Sequence, residues 1–310
     1  MEDSILESIK YFSFFNYSPT KEETYCFLKK QVSFDRFTSI LEKMVKNNLV
    51  NCSASRRMKI ENCTRYTLPE YGIKKVQSSK FKVESYLQRQ ANSIKKLNNW
   101  RFKLYTKLIS LLPQIKLVGL SGSISMLNAQ KDDDIDLFII TAKKRLFTGR
   151  FLVIVMGYVL GVKRERVGKY SIAPSGHKNK VCLNLFFDES NLVVPKFKQG
   201  EYVAHEVLQM KPIIDKDQTY KKFLKANLWV TKIFPNSTLI SSKFKVQNFK
   251  FLTVIFHFSL LIFNLLERLL KSFQLASINR HKTNEIITKN QLWFHPEDFS
   301  KKMKNLPLDK

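Results

Sequence analysis

Asp134 and Asp136 open the apolar run Asp134-Ile135-Asp136-Leu137-Phe138-Ile139-Ile140, and ten residues separate them from the end of Gly119-Leu120-Ser121-Gly122-Ser123. The pattern reads as a buried strand, a tight Gly-Ser turn opening a helix, and a second strand with two carboxylates at its start. Residues i and i+2 of a strand point to one face. Asp134 and Asp136 are therefore expected to project together, with Ile135, Leu137 and Ile139 turned to the opposite layer. Two adjacent carboxylates repel each other unless a cation sits between them, and oxygen ligands suit Mg²⁺, with Mn²⁺ as the alternative. Gly122 lets backbone approach phosphate, and Ser123 offers a hydroxyl and an N–H to it. A phosphate cradle beside a carboxylate pair is the equipment of phosphoryl or nucleotidyl transfer.

The elements that must position these groups follow from periodicity. Strand 115–120, helix 123–128, strand 134–141, helix 146–160 and strand 181–187 are expected in that order. Between the last two lies the basic stretch Lys163-Arg164-Glu165-Arg166-Val167-Gly168-Lys169. Ahead of them a lysine-rich helical stretch runs from Lys74 to Leu112, ended by Pro113, with Lys95, Lys96, Arg101, Lys103 and Lys107 read as a solvated face. Residues 202–232 look helical, with Tyr202, Leu208, Tyr220, Phe223 and Trp229 available for packing. Trp293-Phe294-His295-Pro296 is too short to assign.

Gly122-Ser123 followed after ten residues by Asp134-Ile135-Asp136-Leu137 resembles the signature of the polymerase beta-like nucleotidyltransferase superfamily, and Ser125-Met126-Leu127-Asn128-Ala129 adds likeness to one bacterial group. With Arg150, Cys182-Leu183-Asn184-Leu185-Phe186 and Ala204-His205-Glu206-Val207-Leu208-Gln209-Met210-Lys211-Pro212, the chain is similar over most of its length to a bacterial group of stand-alone nucleotidyltransferase-domain proteins. The resemblance implies that Asp134 and Asp136 bind the metals that hold a nucleoside triphosphate and activate an attacking hydroxyl. It also implies a third carboxylate on the neighbouring strand, where this chain has Asn184. An amide can ligate through its oxygen but cannot take a proton as general base. Asp188 shares that face but lies about 13 Å further along at ~3.3 Å per residue. Asn in this strand is also a trait of the resembled group. Arg150 is expected either to reach phosphate or to cover the sheet, and His205 to pack on its helix.

The activity implied is Mg²⁺-dependent transfer of a nucleoside monophosphate from a nucleoside triphosphate to an acceptor hydroxyl on RNA, a protein or a small molecule. The alternative is a catalytically weak or inactive nucleotidyltransferase fold acting as a nucleotide- or nucleic-acid-binding regulator. No nucleophilic Ser or Cys is paired with His205, so hydrolase triads find no support.

The expected fold is α/β (α+β), with a winged-helix-like domain over 1–75, a nucleotidyltransferase-type mixed sheet with flanking helices over 76–200, and a helical C-terminal region over 201–310. In the first domain, Ile5, Ile9, Phe12 and Phe15 mark a helix and Thr20-Lys21-Glu22-Glu23 a capping box. Ser33 caps a third helix carrying Phe37, Ile40, Leu41, Met44 and Val45. Two strands near Leu49-Val50 and Tyr66-Thr67-Leu68 would flank a basic wing with Arg56, Arg57 and Lys59. The formal net charge of +27 attracts polyanions, RNA among them. Four cysteines without C-x-x-C spacing, and an N-terminus lacking a basic then apolar leader, suggest a reducing cytoplasm. The run 251–266 falls just short of the ~20 apolar residues of a span. It is interrupted by His257 and Asn264 and followed by Glu267-Arg268. Helix 251–270 is expected to pack on protein or make peripheral membrane contact without spanning.

Overall fold

Apolar residues three and four apart set the first three helices. The computed structural model describes residues 1–54, 64–69, 86–163, 180–237, 260–280 and 285–294. Helix α1 (Glu2–Phe14) buries Ile5, Ile9 and Phe12. Helix α2 (Lys21–Cys26) begins at the expected capping box: Thr20 Oγ1 accepts from the Glu23 N–H at 3.2 Å, and Glu23 Oε2 accepts from the Thr20 N–H at 2.8 Å. Helix α3 (Phe34–Lys46) buries Phe37, Leu41 and Met44, and Ser33 stands at its N-cap without a side-chain cap bond. An antiparallel ribbon of β1 (Asn51–Ala54) and β2 (Thr64–Thr67) follows. Arg65 on β2 stacks its guanidinium 3.9 Å from the Tyr86 ring centroid and donates to the Ser18 carbonyl at 2.6 Å. The wing residues Arg56, Arg57 and Lys59 lie outside the described residues.

The chain forms two compact units, Met1–Arg89 with Leu228–Phe244, and Gln90–Asn227 with Lys245–Lys310. Residues 228–237 belong with the first unit because Phe234 meets Phe27 edge-on at 5.2 Å. The Asn236 amide also accepts from the Val32 N–H and donates to the Lys30 carbonyl.

The second unit is built on a six-stranded mixed sheet in the order β6-β3-β4-β5-β8-β7. These strands are β3 (Ile115–Leu120), β4 (Ile135–Thr141), β5 (Val181–Asp188), β6 (Lys211–Asp215), β7 (Ile286–Ile287) and β8 (Gln291–Trp293). Among the strands of the described residues only β4 and β5 pair in parallel, and a parallel pair needs a crossover connection. Helix α7 (Leu146–Val159) lies in that connection. Helices α4 (Tyr86–Leu97), α5 (Trp100–Ser110) and the short α6 (Gly122–Ser125) precede it in the chain. Helices α8 (Glu201–Gln209), α9 (Thr219–Ala226), α10 (Val230–Ile233) and α11 (Leu260–Arg280) follow β5 in chain order. On one face Val118, Leu137, Ile139 and Phe186 join a core with Tyr105, Ile109, Phe147 and Val153 from α5 and α7. On the other, Phe138, Phe187 and Phe223 of α9 pack ring on ring, with centroids 5.1 to 6.0 Å apart. A strand covered on both sides has no use for polar alternation, which is why β4 continues as Phe138-Ile139-Ile140.

Two expectations change here. Residues 202–232 are not one helical stretch, since β6 lies between α8 and α9. Its Pro212 cannot donate to a ladder, and the sheet accommodates it on an edge strand. The region after residue 201 is likewise not purely helical, because β6, β7 and β8 complete the sheet. Trp293 of β8 packs against Phe187 at 5.3 Å.

Candidate functional site

The Gly-Ser turn is tied to both strands that frame it. Ser121 donates its N–H to the Asp136 carbonyl at 3.0 Å as β3 ends. Gly122 has φ +60, and a Cβ there would lie 3.0 Å from Asp136 Oδ2. Only glycine meets both conditions at low cost. Three residues earlier, a Cβ on Gly119 would sit 2.3 Å from the Met210 sulfur, so side-chain absence is also what lets the segment after α8 close over β3.

The loop between turn and β4 is clamped from beneath by α4. Ser93 accepts from the Ala129 N–H at 3.0 Å, and Lys96 donates its ammonium to the carbonyls of Lys131 (2.9 Å) and Asp133 (2.6 Å). Lys96 is buried, so it leaves the solvated face expected for the lysines of this helix. Asp133 Oδ2 accepts from the Ser123 hydroxyl at 3.1 Å and the Gln130 N–H at 2.9 Å. The Ser123 hydroxyl thus binds the protein's own loop rather than pointing unengaged at a ligand.

Asp134 and Asp136 are partly buried while Ile135 and Leu137 are buried, the alternation expected of a strand start. Asp134 Oδ1 accepts from the Lys180 N–H at 3.1 Å. Asp136 Oδ1 accepts from the Asn184 amide at 2.9 Å. The β4–β5 register explains that meeting: Leu137 pairs with Leu183 and Phe138 with Leu185, leaving Asn184 as the extra residue of a bulge. Bulges re-aim side chains, and this one turns Asn184 onto the carboxylate pair. A carboxylate only accepts, so the amide nitrogen faces Asp136. The amide oxygen in turn accepts from the Cys182 thiol at 2.9 Å.

Helix α8 brings a group that the spacing of Gly122, Asp134 and Asp136 does not announce. The Glu206 carboxylate accepts from the Gly122 N–H and the Tyr202 hydroxyl, and burial raises its pKa to about 7 against the lowering effect of those bonds. Tyr202 is pushed well above the usual phenol value, first by burial and then by the charges of Glu206 and Asp136. The sequence signal is the Ala204-His205-Glu206 segment, in which the histidine is the more conspicuous residue. His205 is buried with Nδ1 3.4 Å from Gln209 Nε2, a packing position as expected.

Arg150 does not join this group. Its guanidinium stacks over Phe294 at 4.9 Å and Phe186 at 5.9 Å, and donates to Gln274 of α11. Phe186 pairs with Ile139 in the helix-covered layer, opposite Asp136. Of the two expected placements, Arg150 takes the one over the sheet. Asp188 at the far end of β5 is buried and accepts from the N–H groups of Lys144 and Ser190, a structural role away from the pair.

Gly122, Asp134, Asp136, Asn184 and Glu206 therefore gather where β3, β4, β5 and α8 approach one another. Among the described residues no group of three or more His, Cys, Asp or Glu is placed to hold a metal ion. Any divalent cation here would rest on Asp134 and Asp136, with the Asn184 amide bonded to Asp136. The chain matches no protein-family model, no curated protein and no solved structure with which it was compared.

Proposed function

We propose that the chain binds a nucleoside triphosphate with Mg²⁺ (or Mn²⁺) at the Gly122 turn and transfers its nucleoside monophosphate slowly to an acceptor hydroxyl, in the manner of polymerase beta-like nucleotidyltransferases. The observation that carries this reading is the 2.9 Å bond from Asn184 to Asp136. It supports the reading because Asn184, on the strand beside the Asp-x-Asp strand, bonds Asp136 directly. Two carboxylates suit one hard cation, which when bound would neutralise phosphate charge. A second cation finds only an amide, whose nitrogen faces Asp136, so the donor set fits one metal better than two. The Gly122 N–H is held by Glu206, and a phosphate oxygen would take that carboxylate's place.

Lacking a base at position 184, the chain is expected to forgo about 10²–10⁴-fold in rate. The same bond favours a second reading, a nucleotide- or nucleic-acid-binding regulator that does no chemistry. The three helices and β-ribbon of the first unit fit a winged-helix-like module, and the charge of +27 favours RNA or another polyanion as acceptor or ligand. Cys26, Cys52 and Cys182 form no disulfide, which suits a reducing cytoplasm.

Incubation with α-labelled nucleoside triphosphates, Mg²⁺ or Mn²⁺, and cell RNA or lysate tests both readings. Wild type should label an acceptor slowly, Asn184→Asp faster, and the Asp134→Asn/Asp136→Asn double variant not at all. Metal-dependent triphosphate binding by calorimetry without transfer in either active form would select the regulator. Unchanged binding in a folded double variant would remove the site.

A further inference from the structure

Helix α11 is anchored to the start of α7 by polar side chains. Glu267 accepts from the N–H groups of Phe147 and Thr148, both at 2.8 Å, and from the Thr148 hydroxyl, capping the start of α7. Asn264 accepts from Arg145 at 2.8 Å, Gln274 donates to the Phe147 carbonyl at 2.8 Å, and Lys271 lies over the Phe147 ring. Leu270, Leu275 and Ile278 turn inward as well, but a second set of apolar residues points away. Leu265, Leu269 and Phe273, spaced four apart on one stripe, are 62%, 61% and 70% exposed. Helix α7 adds a second exposed apolar stripe with Phe151, Val155 and Val159. Scattered surface leucines are ordinary, but two packed helices each presenting such a stripe mark a contact surface.

Charge selects the occupant. Helices α7 and α11 contain one acidic residue, Glu267, and its carboxylate is consumed by the α7 cap. Exposed Lys143, Lys144, Arg268 and Arg280 lie on or beside the two helices. A second copy of a chain carrying +27 would meet this surface with like charge. An anionic lipid surface offers both an apolar layer for the stripes and phosphate or carboxylate headgroups for the cations. No helix among the described residues is long and apolar enough to cross a membrane, so the contact lies in the interface plane.

We infer that the exposed apolar stripes of α7 and α11, with their basic surroundings, form a docking surface for anionic lipid bilayers. It is independent of the chemistry proposed above. Sedimentation of the full chain with phosphatidylcholine vesicles, with and without phosphatidylserine, tests it. Wild type should pellet with the phosphatidylserine vesicles and be released as salt is raised. Leu269→Ser/Phe273→Ser should weaken this about tenfold or more, since each change removes a large apolar side chain from the contact. Phe273→Trp should keep binding and shift its emission to the blue with vesicles. Wild type left in the supernatant, or pelleted equally by the Ser variant with an unchanged thermal transition, overturns the inference. So does equal binding to neutral vesicles. A dimer in light scattering that the Ser variant splits would assign this face to a second copy instead.

Discussion

Glu206 and Asn184 flank Asp136 with opposite chemistry, one a carboxylate held against its own ionisation and the other an amide that cannot ionise. The pKa of Glu206, near 7 against an ordinary 4.5, gives a stability contribution that is full below about pH 4.5 and lost as pH rises through about 7. Glu206→Gln keeps an oxygen for the Gly122 N–H and removes that titration. In chelator, its melting temperature should match wild type at pH 5 and exceed it at pH 8. The difference should be about 1 kcal/mol once solvent screening of a half-buried group is allowed for. Equal pH profiles would show that burial does not raise the Glu206 pKa. Asp134, Asp136 and Gly122 are legible in the sequence because a strand's two-residue period and a turn's need for glycine are local rules. Glu206 is not, because its partner lies 84 residues earlier in the chain (206 − 122), and no local rule links the two.

At the scale of elements, strands β3, β4 and β5 and helix α7 fall where apolar periodicity puts them. Strand β6 does not, since Lys211-Pro212-Ile213-Ile214-Asp215 carries a proline that argues against any central strand. Among the described residues it pairs with β3 alone, at the sheet edge. Helix α11 shows the complementary difficulty. Asn264 reads as an interruption of an apolar run and Glu267 as its close, and they are the helix's anchoring residues. Glu267 is the sharpest case, because one carboxylate satisfies two backbone donors at the start of α7. Glu267→Ala should lower stability by about 2 kcal/mol in denaturant unfolding. Glu267→Asp should recover only part of it, because the shorter side chain must span the same gap. A reduction under about 0.5 kcal/mol, the lower end for a cap, would mean that solvent serves the α7 N-terminus equally well.

For the whole molecule, the charge of +27 and the two-unit division bear on how polyanion binding must be tested. Removing residues 1–75 would strip the partners of Phe234 and Asn236 and expose a core rather than probe a surface. Substituting Arg56, Arg57 and Lys59 with Gln changes none of those residues. RNA affinity of this variant should fall, with the slope of log affinity against log salt reduced by about 0.7–0.9 for each phosphate that the three cations neutralise in the wild type. An unchanged slope would leave Arg56, Arg57 and Lys59 without a part in polyanion binding.

What the sequence determined by itself is what short-range rules control: the Asp-x-Asp face, the glycine turn, the Thr20–Glu23 cap, and the order of strands about them. These depend on the two-residue period, on φ, and on hydrogen bonds between residues three apart, all properties of a few adjacent side chains. Tertiary structure decided the rest. The bulge that turns Asn184 onto Asp136, the approach of Glu206 to Gly122, the burial of Lys96 under the loop, and the turning of Arg150 to the opposite face each join residues far apart in the chain. Such meetings depend on which surfaces pack together, and packing is a property of the assembled sheet and helices rather than of any segment read alone.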